Sequence, residues 1–138
     1  MQLIEGFPSA IEQHQFLVYF QPKFDICHEV PALCDAEALV RWQHPKLNMV
    51  SPGVFIPLFE ENGRIEALDH YVWRETARQI RVWKDRYDLS VPVSVNVSRV
   101  DLNDPNITYT LLNILEEFRP DPGDLHLEVI ESAYAEDS

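Results

Sequence analysis

The sequence predicts an α/β fold with a mostly parallel sheet, its elements running β, β, α, α, β, α, β. Runs of alternating or aromatic and β-branched residues are interleaved with long stretches whose apolar residues recur at helical spacing. Strands separated by helices of this length need crossover connections, which make neighbouring strands parallel. The second strand has apolar side chains on both faces, as a strand does when it is covered on both sides.

The first strand is Phe16 to Asp25, rich in aromatic and β-branched types. Pro22 within it marks an edge, a bulge or the strand's end, because proline donates no ladder hydrogen bond. A second strand covers about 33–42, and the roughly seven residues between the two allow antiparallel neighbours. Gln43 to Asn48 reads as a loop. Ser51-Pro52 starts a short helix of about 52–61: a hydroxyl to cap, then a proline where no N–H is needed. That helix stops at Asn62-Gly63. A longer helix of about 64–86 carries Ile65, Leu68, Val72, Ala77, Ile80 and Trp83 as one stripe, widened by Trp73, with Arg74, Glu75, Arg78, Arg81 and Lys84 opposite. Val91 to Val97 is the third strand. Asp104-Pro105 caps a helix of about 105–119 with Ile107, Leu111, Ile114, Leu115 and Phe118 as its stripe. After the turn Pro120 to Gly123, Leu125 to Ile130 is the fourth strand, and Ala133 to Ser138 holds few packing residues.

With 138 residues, 46% of them hydrophobic, the chain has material for a sizeable core. It holds no run of about 18 apolar residues, so no segment here is expected to contact a membrane. Met1 to Ala10 lacks the features of a signal peptide. Cys27 and Cys34 read as reduced, partly buried thiols of a cytosolic protein, with a hairpin-like pair as the alternative. The net charge of −12, from 23 acids against 11 Lys and Arg, disfavours a duplex nucleic-acid binder. A small phosphorylated ligand stays open, because bound cations reverse the sign of a local site.

Strand parity then singles out a few polar residues. In the second strand Ala36, Ala38, Val40 and Trp42 share one face; Glu37, Leu39 and Arg41 share the other. Burying Glu37 and Arg41 is costly unless each is paired or bound. They could pair with each other, although their Cα atoms lie roughly 13 Å apart along the strand. In the third strand the valines point one way and Ser94, Asn96 and Ser98 the other, inward if the sheet closes. In the fourth, His126, Glu128 and Ile130 oppose Leu125, Leu127 and Val129, and Glu131 follows on the other parity. Glu37, Asn96 and Glu128 are thus three oxygen donors on three strands, a set that suits a hard divalent cation. No histidine joins them: His14, His28 and His44 read as loop or surface, His70 as the exposed side of its helix, and His126 as structural.

Glu37-Ala38-Leu39-Val40-Arg41-Trp42 followed by His44-Pro45 resembles the signature of the EAL domain family. Tyr19-Phe20-Gln21-Pro22-Lys23 is similar to the family's Tyr-x-Gln-Pro segment. Ser51-Pro52, Phe55-Ile56-Pro57 and Glu60-x-x-Gly63 resemble its first helix, and Val95-Asn96-Val97-Ser98 its Asn-x-Ser strand end. Leu127-Glu128-Val129-Ile130-Glu131-Ser132 is similar to its Glu-x-Thr-Glu-Ser motif, with Ile130 in place of threonine. The motifs occur in order across residues 16–134, which is the specific part of the signal.

The resemblance implies an α/β, partial TIM-like (β/α) barrel of the EAL type, first strand antiparallel, with about four strands of the barrel present. It divides the chain into a lead-in at 1–15 and the N-terminal half of an EAL domain at 16–138. It implies hydrolysis of cyclic di-GMP to pGpG with Mg²⁺ or Mn²⁺ held by Glu37, Asn96 and Glu128. Catalytic residues would be Glu37, Glu128 and Glu131, the last bracing a loop; Arg41 would take a phosphate and Gln21 a guanine or ribose. A complete barrel takes roughly 250 residues. The family's later Asp-Asp-Phe-Gly-x-Gly loop and lysine have no counterpart among residues 133–138. The expectation is therefore an incomplete, inactive portion of a phosphodiesterase, completed by its C-terminal half or by self-association. The alternative is a catalytically inactive EAL-like module that binds cyclic di-GMP or a protein partner. The setting expected is the cytoplasm, on its own or as part of a multidomain or membrane-tethered protein.

Overall fold

The computed structural model describes residues 10, 11, 13–25 and 32–130. Cys27, His28 and the expected tail from Ala133 to Ser138 lie outside the described residues, as does most of the lead-in. Strand β1 (Phe16–Asp25) pairs antiparallel with β2 (Ala32–His44). Pro22 sits in β1, which is an edge of the described sheet, and the register shifts between Lys23 and Phe24. Edge position and bulge are the two settings in which a strand tolerates proline. Cys34 is exposed rather than partly buried.

β2 runs two residues further than its composition suggests and turns back into a short β3 (Asn48–Val50). His44 closes that turn. It is a buried side chain, not a surface one, and its Nδ1 accepts hydrogen bonds from the backbone of Lys46 (3.1 Å) and Leu47 (3.2 Å). Its ring also packs on Trp42, which forms one buried aromatic cluster with Phe16 and with Phe55 and Phe59 of α1 (Pro52–Glu61). Ser51 caps α1 through Gly53 N–H (3.2 Å), and Gly63 takes φ +71°, the left-handed turn that glycine adopts without strain.

Helix α2 (Ile65–Tyr87) lays Leu68, Val72, Trp73, Thr76, Ala77 and Ile80 against the sheet. It packs on β4 (Val93–Val97), whose three valines are fully or almost fully buried. Trp73 is completely buried, and its Nε1–H donates to the backbone carbonyl of Asn96 (3.0 Å). A one-turn helix α3 (Arg99–Leu102) follows, opened by a reciprocal box in which Ser98 Oγ accepts from Asp101 N–H and Asp101 accepts from Ser98 N–H.

Helix α4 (Ile107–Phe118) begins at Asn106, with no side-chain cap there. Asp104 does not cap it as expected; its carboxylate takes the Asn106 N–H in the preceding turn (2.9 Å). The final described strand, β5 (Leu125–Val129), completes the order β1-β2-β4-β5, with β3 paired to β2. β2, β4 and β5 are mutually parallel, so the antiparallel first strand and parallel remainder agree with the sequence. No helix among the described residues is long and apolar enough to cross a membrane.

Replacing Trp73 with Phe removes the donor to the Asn96 carbonyl while keeping an aromatic ring in the core. The expected cost is about 1–3 kcal/mol, the usual consequence of leaving a buried polar group unmade. Urea denaturation of the wild type and Trp73→Phe measures it; an unchanged midpoint would mean that the bond does not help hold β4.

Candidate functional site

Register places the predicted polar residues on one face of the sheet. Gln21 lies opposite Glu37, Glu37 opposite Ser94, Ser94 opposite His126, and Asn96 opposite Glu128. Partners in register share a face, so Gln21, Glu37, Asn96 and Glu128 all project away from the valine side. Asn96 and Glu128 are lateral neighbours on adjacent strands, roughly 4.8 Å apart at the backbone. Glu37 belongs to the row below theirs. Exposure rises toward both edges of the described sheet: Glu37 and Asn96 on the inner strands are half-buried, whereas Gln21 on β1 and Glu128 on β5 are exposed. Glu131 lies outside the described residues.

Glu37 and Arg41 do not pair with each other. Lys23, two residues along β1 from Glu37's register partner Gln21 and so its diagonal neighbour, reaches the Glu37 carboxylate at 3.7 Å. Arg41 lies over the Tyr19 ring, its guanidinium carbon 5.9 Å from the centroid, and donates to its neighbour's carbonyl at Val40 (3.0 Å). Strand spacing explains both. Tyr19 sits opposite Leu39, a diagonal neighbour of Arg41 on the same face, whereas Glu37 is two side chains away along the strand.

A cleft of ≈ 500 Å³ opens at the C-terminal ends of β2 and β4, between α1 and α2. Arg41, Asn96 and Ser98 line it from the sheet, Glu60 and Asp69 from the helices, and Ile130 closes one side. It gathers Arg41 and Asn96 but not Gln21, Glu37 or Glu128, which lie on the adjoining open face. An arginine at the mouth of a largely apolar cleft is suited to an anionic ligand with a flat apolar part.

Asp69 is the residue that sequence reasoning missed. Burial pushes its carboxyl up to about 10, reinforced by the neighbouring Asp101 and Glu60 and opposed by a hydrogen bond from Ser98. Burial beside Asp101 therefore favours the protonated form of this acid on the cleft wall. The signal was available: Asp69 falls in the middle of the Ile65–Ile80 apolar stripe, where a solvated acid does not belong. His70 also departs from expectation. It is half-buried, not on the exposed side of α2, and its ring packs against Trp73 at 4.9 Å.

The family model described as "EAL domain" matches residues 5–138. The cyclic di-GMP phosphodiesterase PdeR of Escherichia coli is 34% identical over 128 residues, 93% of this chain and 19% of that protein. The bifunctional diguanylate cyclase/cyclic di-GMP phosphodiesterase MucR of Pseudomonas aeruginosa is 31% identical over all 138 residues, which are 20% of its length. The chain thus spans about a fifth of these curated relatives. The solved MucR phosphodiesterase in complex with cyclic di-GMP superposes with a TM-score of 0.83 at 31% identity, over 94% of this chain and 51% of that one.

An acid whose native pKa is raised favours the folded state fully below the ordinary carboxyl range, and that contribution is lost as pH climbs toward about 10. Asp69→Asn has no proton to lose. Urea midpoints at pH 5 and pH 9 should therefore show the variant gaining on the wild type as pH rises; a constant difference would mean that Asp69 titrates normally. The matched motifs, the parallel sheet behind an antiparallel first strand, and the similarity to solved phosphodiesterase domains make this chain a member of the EAL domain family, with the corresponding TIM-like α/β fold.

Proposed function

We propose that this chain supplies the N-terminal half of a metal-dependent cyclic di-GMP phosphodiesterase site. The observation that carries the reading is the register pairing of Asn96 with Glu128 on the face that also bears Glu37 and Arg41. Two carboxylates and an amide oxygen, with no nitrogen or sulfur among them, fit Mg²⁺ or Mn²⁺. Glu37, Asn96 and Glu128 would hold the ion, which when bound supplies Lewis acidity and a lowered water pKa.

The chain's own residues do the rest. Arg41, held over Tyr19, presents its guanidinium fork to a phosphate of the dinucleotide. Gln21 lies on the same face, placed for a guanine or ribose edge. Lys23 offsets the Glu37 charge until the ligand set is assembled. The outward side chains of β5, Leu127 at 47% and Val129 at 61% exposure, leave an apolar face that the C-terminal half of the domain or a second copy would cover.

A complete two-metal site needs ligands beyond these three, so a monomer of this chain is expected to bind cyclic di-GMP without turning it over. Calorimetry in Mg²⁺ or Mn²⁺ should show binding that Arg41→Ala weakens by about 10–100-fold, the equivalent of roughly 1.5–3 kcal/mol for a charged hydrogen bond. Chromatography of the nucleotide, alongside the chain's mass in solution, checks the second half of the reading. Steady formation of pGpG by a strictly monomeric sample, abolished in Glu37→Gln, would show that these residues suffice alone.

A further inference from the structure

Behind the cleft, on the side of α2 that faces α3, a second group of ionisable side chains converges. Glu66 and His70 are four residues apart on α2, so they project from one helix face. Asp101 meets them from α3. One ligating atom from each lies within 4.8 Å of the others. Among the described residues this is the cluster with metal-ligand composition, and none of its members belongs to the Glu37, Asn96 and Glu128 set.

The state of the buried atoms points the same way. Asp101 is completely buried. Its Oδ2 accepts from Ser98 N–H (2.9 Å), but its Oδ1 has no hydrogen-bond partner. His70 Nε2 is likewise buried without one. An isolated carboxylate oxygen in a protein interior costs several kcal/mol unless something positive faces it. Asp104 adds a further acid beside Glu66, and desolvation followed by Asp104 raises the Glu66 carboxyl while His70 lowers it. A cation would relieve all of these at once.

We propose that Glu66, His70 and Asp101 form a second divalent-cation site, of transition-metal type, that clamps α2 to α3. An imidazole together with two carboxylates suits Zn²⁺ or a similar ion better than Mg²⁺, which prefers oxygen alone. The site is structural in character: both α2 and the α3 turn are tied to β4, through Trp73 to the Asn96 carbonyl and through Asp101 to Ser98. A cation here would stiffen the C-terminal end of β4 from behind, without touching the dinucleotide. The proposal stands apart from the phosphodiesterase reading, since it involves none of the same ligands.

One competing arrangement uses a proton instead. Asp69 Oδ2 is also buried without a donor, and a proton shared with Asp101 would satisfy both oxygens with no metal. Zn²⁺ titration of this chain by calorimetry separates the two. The wild type and Glu37→Gln should bind one Zn²⁺ at this site equally well. Glu66→Gln and His70→Ala should each weaken it by at least about 100-fold, beyond the roughly 10–100-fold that losing an outer partner costs. Glu66→Gln is near-isosteric and half-buried, so it keeps the test valid if His70→Ala disturbs Trp73 and fails to fold. Zn²⁺ should also shift the His70 ring resonances in ¹H–¹⁵N spectra. Equal Zn²⁺ binding by the wild type and Glu66→Gln, no binding at all, or a His70 ring that Zn²⁺ leaves unshifted would each overturn the proposal.

Discussion

Val93, Val95 and Val97 face α2 and are buried to 2% exposure or less, and every polar residue of interest depends on that choice of face. The β4 alternation permits only two orientations, because a one-residue slip exchanges the two faces. Burying three valines stabilises one of them by several kcal/mol, at roughly 1.5–3 kcal/mol for a fully buried side chain of this size. Trp73 then helps fix the strand along its length, since its indole N–H donates to the Asn96 carbonyl. Asn96 points inward as a result. Register carries that orientation sideways to Glu128 on one neighbour and, through Ser94, to Glu37 on the other.

That inner face concentrates charge, and the structure handles it by local pairing more than by burial. Glu37 meets Lys23 across the antiparallel pair, and Arg41 rests on Tyr19. Both partners come from β1, which explains why an antiparallel strand at this edge matters: it brings side chains of residues 19–23 beside those of 37–41 in reversed order. These contacts are partly exposed and individually weak, on the order of 1 kcal/mol or less. They orient the side chains and can be exchanged for a ligand at small cost.

Much of this was legible in the sequence because it follows from period-two parity and from helical stripes. The α1 cap at Ser51, the stop at Gly63, the course of α2 and the shared face of Glu37, Asn96 and Glu128 were all readable from spacing. What escaped depends on contacts that no local pattern encodes. β3 has three residues, too few for alternation to register, and exists because His44 closes its turn. α3 has four, although Ser98-x-x-Asp101 has the form of a capping box and could have been seen. Asp104 looked like a cap beside Pro105, but the helix starts at Asn106 and the carboxylate serves the turn before it. The ion-pair partners across β1 and β2 needed the strand register, which no local pattern within either strand supplies.

Asp69, His70 and Glu66 show how one helix can serve two environments. Asp69 sits within the apolar stripe and looks into the cleft; Glu66 and His70 sit at its margin and look toward α3. Asp101 joins the two, with one oxygen held by the Ser98 backbone two residues beyond Asn96 and the other facing the acids of α2. Whatever neutralises that second oxygen, proton or cation, acts on the same turn that ends β4. A carboxylate tied to the strand end by one oxygen transmits strain or relief at the other through a single rigid side chain. The inward orientation of Asn96, which the burial of Val93, Val95 and Val97 against α2 imposes, is thus braced twice, by packing along the strand and by electrostatics at its C-terminal end.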